Sequence, residues 1–175
     1  IREINLDLNI TNPGGPIDST RIDLNRFHFN IAGNPFHLFL NLINPNDPLL
    51  AGEAKGTIDF TNLKKALPLK DITLEGKMAT DLVFQGKYQY IEQEQYEKFI
   101  AKGNIQFSNI LYVDKNFPEG ISIPKGNIQV SPAQLQLNAL QAKIFSSDFI
   151  FQGQLSNYLP YLLRNETLRG KFSLN

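Results

Sequence analysis

Cysteine and tryptophan are absent from this 175-residue chain, and methionine occurs once. Without cysteine there is no disulfide, no thiolate metal site and no thiol nucleophile. Charge of one sign is lacking as well: seventeen basic and seventeen acidic residues leave a formal net charge of zero. The concentrated basic surface that nucleic-acid binding requires is therefore not expected. No apolar run approaches the ~18–20 residues of a membrane-crossing helix. Histidine is scarce, at two residues. His28 and His37 each stand between apolar neighbours (Phe27 and Phe29, Phe36 and Leu38), which places both on the polar face of a hairpin. Two histidines without cysteine make a poor zinc set, so surface histidines are expected. There is no Gly-x-Ser-x-Gly elbow and no glycine-rich phosphate loop opening a helix. Acidic residues such as Asp7, Asp59, Glu75 and Asp81 alternate with apolar ones, as a solvated strand face requires without any acid–base role. The chain reads as a non-enzyme with no metal and no cofactor.

What is present is alternation. In "IREINLDLNI", Ile4, Leu6, Leu8 and Ile10 are apolar between Glu3, Asn5, Asp7 and Asn9, the period of a strand with one apolar face. "NPGGP" then stops the ladder. "RFHFNI" and "FHLFLNL", joined across "AGNP", read as a hairpin. "GEAKGTIDF" carries Ala54, Gly56, Ile58 and Phe60 on one face, and "DITLEGKMATDLVFQG" carries Ile72, Leu74, Gly76, Met78, Leu82 and Phe84 in phase. In "YIEQEQYEKF", Ile91, Gln95 and Phe99, with Tyr96, recur at helical spacing among good helix formers, which predicts one amphipathic helix near 90–100. Strands resume after it, giving about ten in all. Gly56, Gly76, Gly86, Gly103, Gly153 and Gly170 lie inside or at the ends of strands, where glycine permits a bulge or sharp curvature, so a strongly bent sheet is expected.

One device occurs twice. "GTIDFTNLKKALPLKDITLEGKM" (56–78) and "GQLSNYLPYLLRNETLRGKF" (153–172) each read as strand, helical turn and strand. The turns carry Leu63 and Leu67, and Leu159, Leu162 and Leu163. Thr61 and Ser156 are the expected N-caps. The returning strands carry Leu74-x-Gly76-Lys77-Met78 and Leu168-x-Gly170-Lys171-Phe172. This is the pattern of an internal repeat in a modular β array. The chain opens at Ile1 rather than Met, which is expected of a fragment, so residues 1–175 are taken as one segment of a larger repetitive protein.

Ten amphipathic strands create a large apolar surface, worth roughly 25 cal/mol per Å2 when removed from water. A helix of about ten residues is ~15 Å long and cannot roof it. The sheet must fold on itself as a sandwich, close as a barrel, or curl into a trough that holds apolar ligands. An outer-membrane barrel is the weakest of these readings. It calls for aromatic girdles, whereas the phenylalanines here are spread through strand centres.

The stretch "LNRFHFNIAGNPFHLFLNLINPNDPLLAGEAKGTIDFTNLKKALPLKDITLEGKMATDLVFQGK", with "QYEKFIAKGNIQFSNI" and "GQLSNYLPYLLRNETLRGKFSL", resembles the AsmA-like proteins of Bacteroidetes, from about residue 22 to the end. "NPF", the "LP" plus "LEGK" block and "NYLPYLL…LRGKFSL" are its most specific pieces, and they are family patterns rather than catalytic motifs. Residues 1–21 fall outside the pattern. The resemblance implies an envelope protein anchored in the inner membrane by a helix outside this segment, with its bulk in the periplasm. It also implies kinship, through the AsmA and TamB group, with chorein-type bridge proteins, whose curled β-groove lets acyl chains slide.

The expected fold is thus mainly all-β: a strongly curved, mostly antiparallel sheet forming a groove or trough, with one short amphipathic helix and two helical turns. The expected function is binding of phospholipid acyl chains in support of lipid transport between the membranes and of envelope biogenesis, with envelope proteins as further partners. The alternative is a closed structural or interaction β-sandwich in outer-membrane assembly, without lipid. The expected lining begins with Phe27, Phe29 and Ile31, then Phe36, Leu38 and Leu40 of the hairpin. It continues through Ile58 and Phe60, Ile72, Leu74, Leu82 and Phe84, then Ile105 and Phe107. Leu135, Leu137, Phe149, Phe151 and Phe172 complete it. Ordinary core packing is the competing reading at each of these positions.

Overall fold

Alternating segments separated by turn-forming residues yield ten strands, and the computed structural model describes residues 2–63 and 71–174. The strands are β1 (Arg2–Thr11), β2 (Arg21–Ile31), β3 (Asn34–Ile43), β4 (Leu49–Asp59), β5 (Thr73–Lys87), β6 (Ile100–Val113), β7 (Ile121–Val130), β8 (Gln134–Ile144), β9 (Ser147–Ser156) and β10 (Arg169–Leu174). Three short helices interrupt them: α1 (Phe60–Leu63), α2 (Tyr88–Glu92) and α3 (Tyr158–Arg164). The strands form a single antiparallel sheet whose spatial order is the chain order, β1 through β10. This is one continuous sheet, not the two facing sheets of a sandwich, and it is not closed, because β1 and β10 do not pair with each other.

The register turns local alternation into a property of the whole sheet. Residues directly opposite in an antiparallel pair share a face. One such row runs Asn5, His28, His37, Lys55, Asp81, Asn104, Gln129, Gln136, Gln154, Lys171, polar on every strand. The next row runs Leu6, Phe27, Leu38, Ala54, Leu82, Gly103, Val130, Leu135, Leu155, Gly170, with no polar side chain on any strand. The sheet therefore has one apolar and one polar face along its full width.

Bulges keep the faces consistent where the sequence slips phase. In β2 the apolar positions switch from even (Ile22, Leu24) to odd (Phe27, Phe29, Ile31), and the register shifts between Leu24 and Phe27. One additional residue in a strand restores both sets to the same side. β8 makes the same correction between Leu137 and Leu140. In β6 the correction falls at Asn109, whose φ is 51°, opposite Gly76 of β5 with φ 98°. A Cβ at Gly76 would lie 2.3 Å from the Asn109 carbonyl oxygen, so the close approach admits glycine alone. The β2–β3 hairpin closes through Ala32 (φ 50°) and Gly33 (φ 81°), the two positive angles that suit the right-handed strand twist.

The helices depart from expectation. The continuous helix expected near 90–100 is two pieces, α2 and a 3-10 turn at Tyr96–Lys98, separated at Glu94 with φ 57°. Its apolar positions Ile91 and Phe99 are both buried. The caps differ too. Thr61 lies inside α1, where its hydroxyl accepts the Gly76 N–H at 3.0 Å, and the capping oxygen comes from Asp59, which accepts the Asn62 N–H at 3.0 Å. Ser156 is the last residue of β9, and α3 starts after Asn157 in a left-handed conformation. Leu67, expected in the first helical turn, lies outside the described residues.

Both segments of the expected repeat run strand, helix, strand, as β4–α1–β5 and β9–α3–β10. Their pairings are offset: Met78 stands opposite Ile58, two residues beyond Gly56, whereas Phe172 stands opposite Gly153 itself.

Candidate apolar binding face

Of the residues expected to line a groove, all but Phe60 and Ile72 lie on strands. The register puts those strand residues on the apolar face, in rows such as Phe29–Phe36–Gly56–Thr80–Ile105–Ile128–Leu137–Gly153–Phe172 and Ile58–Met78–Phe107–Gly126–Leu140–Phe151–Leu174. Phe60 belongs to α1, and Ile72 is an exposed residue just before β5. Ile31 and Phe36 are buried, Phe36 stacking on Phe29 with ring centroids 5.0 Å apart, so these two are packing residues at the hairpin. Most of the others, including Phe27, Leu38, Leu40, Leu74, Leu82, Phe84, Ile105, Phe107, Leu135, Leu137, Phe149 and Phe151, are half-buried. A half-buried state fits neither a sealed core nor a bare strand.

Burial is concentrated at one end of the sheet. Leu50, Phe99, Ala101 and Val130, at strand ends, pack with Tyr88 and Ile91 of α2 and Tyr158 and Leu159 of α3. Tyr158 donates its hydroxyl to the Ser131 carbonyl at 2.9 Å, and burial pushes that phenol well above its usual pKa, so it stays a neutral donor. Arg164, at the end of α3, lies over the Tyr88 ring 4.9 Å from its centroid, stands 3.7 Å from Glu92, and donates to the Asn46 carbonyl in the β3–β4 loop.

That last contact constrains the shape. From β9 to β3 is six strand spacings, about 29 Å on a flat sheet at roughly 4.8 Å each. α3 has seven residues and spans only about 10 Å at 1.5 Å per residue. A flat sheet could not bring Arg164 to Asn46. The α3 end therefore sits over the apolar side of β3 and β4, where Leu162 and Leu163 face Leu38, Leu40, Leu42, Phe84 and Phe99 around a cavity of about 270 Å3 with no polar surface. A pocket without polar surface offers nothing to orient an ordered water and suits an apolar occupant.

The chemistry elsewhere is sparse. His28 and His37 are cross-strand partners in the polar row, with Nδ1 atoms 3.2 Å apart. No group of three or more metal-ligating side chains occurs among the described residues. A cleft of about 410 Å3 beside α2 and α3 is rimmed by Glu92, Glu94, Glu166 and Arg169, a mixed-charge lining.

The alternation missed residues that lie beyond a phase change: Ile22 and Leu24, Ile110 and Tyr112, and Leu140 and Ala142 share the apolar face. A change of parity in the apolar positions, even to odd in β2 and odd to even in β6 and β8, beside an asparagine in β6, is the signal that marks them. Comparison with protein-family models, with curated proteins and with solved structures gives no match to this chain.

Proposed function

We propose that this chain is a non-enzymatic lipid-handling module, with its apolar face forming the floor of a trough that takes phospholipid acyl chains. The observation that carries the reading is the apolar face itself, ten strands wide, with the main buried cluster of the described residues gathered at one end. Area supports it. The chain exposes 10,820 Å2, about a quarter more than the roughly 8,600 Å2 of a compact monomer of 19.8 kDa. Soluble monomers rarely leave a wide apolar face uncovered, and such surfaces mark ligand grooves or interaction sites. Acyl chains suit this one because it offers width and continuity with few polar groups to orient a compact ligand. The AsmA-like resemblance supplies the setting: a periplasmic portion of an envelope protein held at the inner membrane, moving lipid toward the outer membrane.

Native mass spectrometry of the purified chain tests this. Bound phospholipid that exchanges with fluorescent lipid is the expected result. A chain that emerges empty and takes up no added lipid refutes the proposal and favours a structural or interaction domain.

A further inference from the structure

The two histidines of the chain stand together, and the lipid reading has no use for them. His28 of β2 and His37 of β3 are direct cross-strand partners on the polar face, inside the sheet. Their Nδ1 atoms are 3.2 Å apart, whereas the ring centroids are 4.3 Å apart and the ring planes differ by 36°. The nitrogens are closer than the rings that carry them, so both Nδ1 atoms lie on the converging side of the pair. The scaffold beneath is firm. The next pair toward the turn, Phe29 and Phe36, stacks on the opposite face with centroids 5.0 Å apart, and Ile31 beyond it is 1% exposed. The imidazoles themselves stay reachable from solvent, His37 exposed and His28 half-buried. Their neighbours along the polar row are Asn5 and Lys55. The Lys55 ammonium is engaged with Asp81 of β5 at 3.2 Å, on the side away from the histidines.

We propose that His28 and His37 form a two-imidazole site for a divalent transition metal of the Cu(II), Ni(II) or Zn(II) class. The separation of the nitrogens is the argument. At a metal–nitrogen bond of about 2.0–2.1 Å, two ligand nitrogens lie about 2.9 Å apart across a right angle and about 3.4 Å apart across a tetrahedral one. The observed 3.2 Å falls between the two. Without metal the pair holds one hydrogen bond, in which one Nδ1–H donates to the lone pair of the other Nδ1. A metal takes the place of that proton, which moves to Nε2 of the same ring, so both imidazoles bind in the neutral form. Neutral nitrogen donors select these metals over Mg2+ and Ca2+, which take oxygen ligands, and Cu(II) should bind tightest. Two protein ligands are fewer than the four of a closed structural zinc site, so water completes the sphere and the metal exchanges. A metal held there joins β2 to β3 on the polar face and leaves the apolar face untouched. The site therefore stands or falls independently of lipid binding.

Copper titration of the chain, purified without a histidine tag, tests the proposal. Isothermal titration calorimetry should show one Cu(II) per chain and no binding of Mg2+. Electron paramagnetic resonance of the copper-loaded chain should show two imidazole nitrogens on the metal. His28→Gln and His37→Gln should each weaken copper binding about tenfold or more, because losing a direct ligand costs at least as much as losing an outer-shell partner. Far-UV circular dichroism checks that both variants fold. If either does not, NMR of the wild-type chain decides. With two histidines in the sequence, a substoichiometric amount of Cu(II) should broaden both sets of imidazole signals together. A wild-type chain that binds no stoichiometric copper, a single imidazole nitrogen on the metal, folded variants that bind undiminished, or broadening of one imidazole alone each overturn the proposal.

Discussion

Asp59 is a buried acid that performs two local tasks. One carboxylate oxygen accepts the Asn62 backbone N–H and the other accepts the Asn62 side-chain amide, both at 3.0 Å, and Lys77 stands 4.0 Å away. Burial by itself would raise its pKa. The hydrogen bonds from Asn62, the Lys77 charge and the Thr61 N–H outweigh that and hold the carboxyl below its ordinary value. A pKa lowered in the folded state means stability that is present above the ordinary value near about 4 and is lost as pH falls through the folded one. Asp59→Ala should lower the unfolding free energy by about 1–2 kcal/mol at neutral pH, through loss of the cap. The gap to wild type should close as urea melts are repeated toward pH 3. A gap that is constant with pH would assign the effect to packing. Gly103 makes a backbone case of the same kind: its φ is 137°, and a Cβ there would lie 1.8 Å from the Asp81 carbonyl oxygen. Gly103→Ala should destabilise by about 2 kcal/mol or more, because strain adds to the clash, and a melting temperature unchanged from wild type would contradict this.

At the scale of elements, α3 divides its leucines between two jobs. Leu159 is 7% exposed and part of the core, whereas Leu162 is 69% exposed and borders the apolar cavity. Leu159→Ala should cost about 2–4 kcal/mol of stability. Leu162→Ser should change stability by less than about 0.5 kcal/mol while reducing lipid uptake, and the two variants compared by thermal unfolding and fluorescent-lipid binding separate the roles. Elements also show how much could be read in advance. Strands were legible because period two survives in a ladder with one solvated face, as in Ile4, Leu6, Leu8 and Ile10 of β1. The helix near 90–100 was not, because Ile91 and Phe99 meet the core from two separate turns and Glu94 bends the chain between them. Caps were misplaced by one or two residues because the oxygen that serves α1 sits at the end of the preceding strand, in Asp59. The arrival of α3 over β3 and β4 depends on the cumulative bend of six strand pairs, which no local window contains.

For the whole molecule, the decisive distinction is between a face that stays reachable and one that is sealed. Leu74 and Phe151 are half-buried members of that face on widely separated strands. Replacing either by Asp in a sealed core would cost several kcal/mol or prevent folding. On an open trough the loss should be about 1–2 kcal/mol, while lipid co-purification falls sharply, because a charge in the acyl path costs about 2–4 kcal/mol by analogy with lipid-facing strands. Unfolding of both variants would remove the trough, and stable variants with undiminished lipid would assign binding to another surface. The order of the strands has a further consequence, for how the chain reaches this state. Every ladder joins segments consecutive in sequence, so each loop to be closed is short and its entropy loss small. Such a chain can zip strand by strand from any starting hairpin, without waiting for a distant partner. The contacts of α3 are the exceptions: Arg164 meets Tyr88, Glu92 and Asn46, the last 118 residues away in sequence. Together these contacts need six neighbouring ladders to bend the sheet first, so α3 is expected to dock late in folding and to release early in unfolding, which hydrogen exchange at its amides would check.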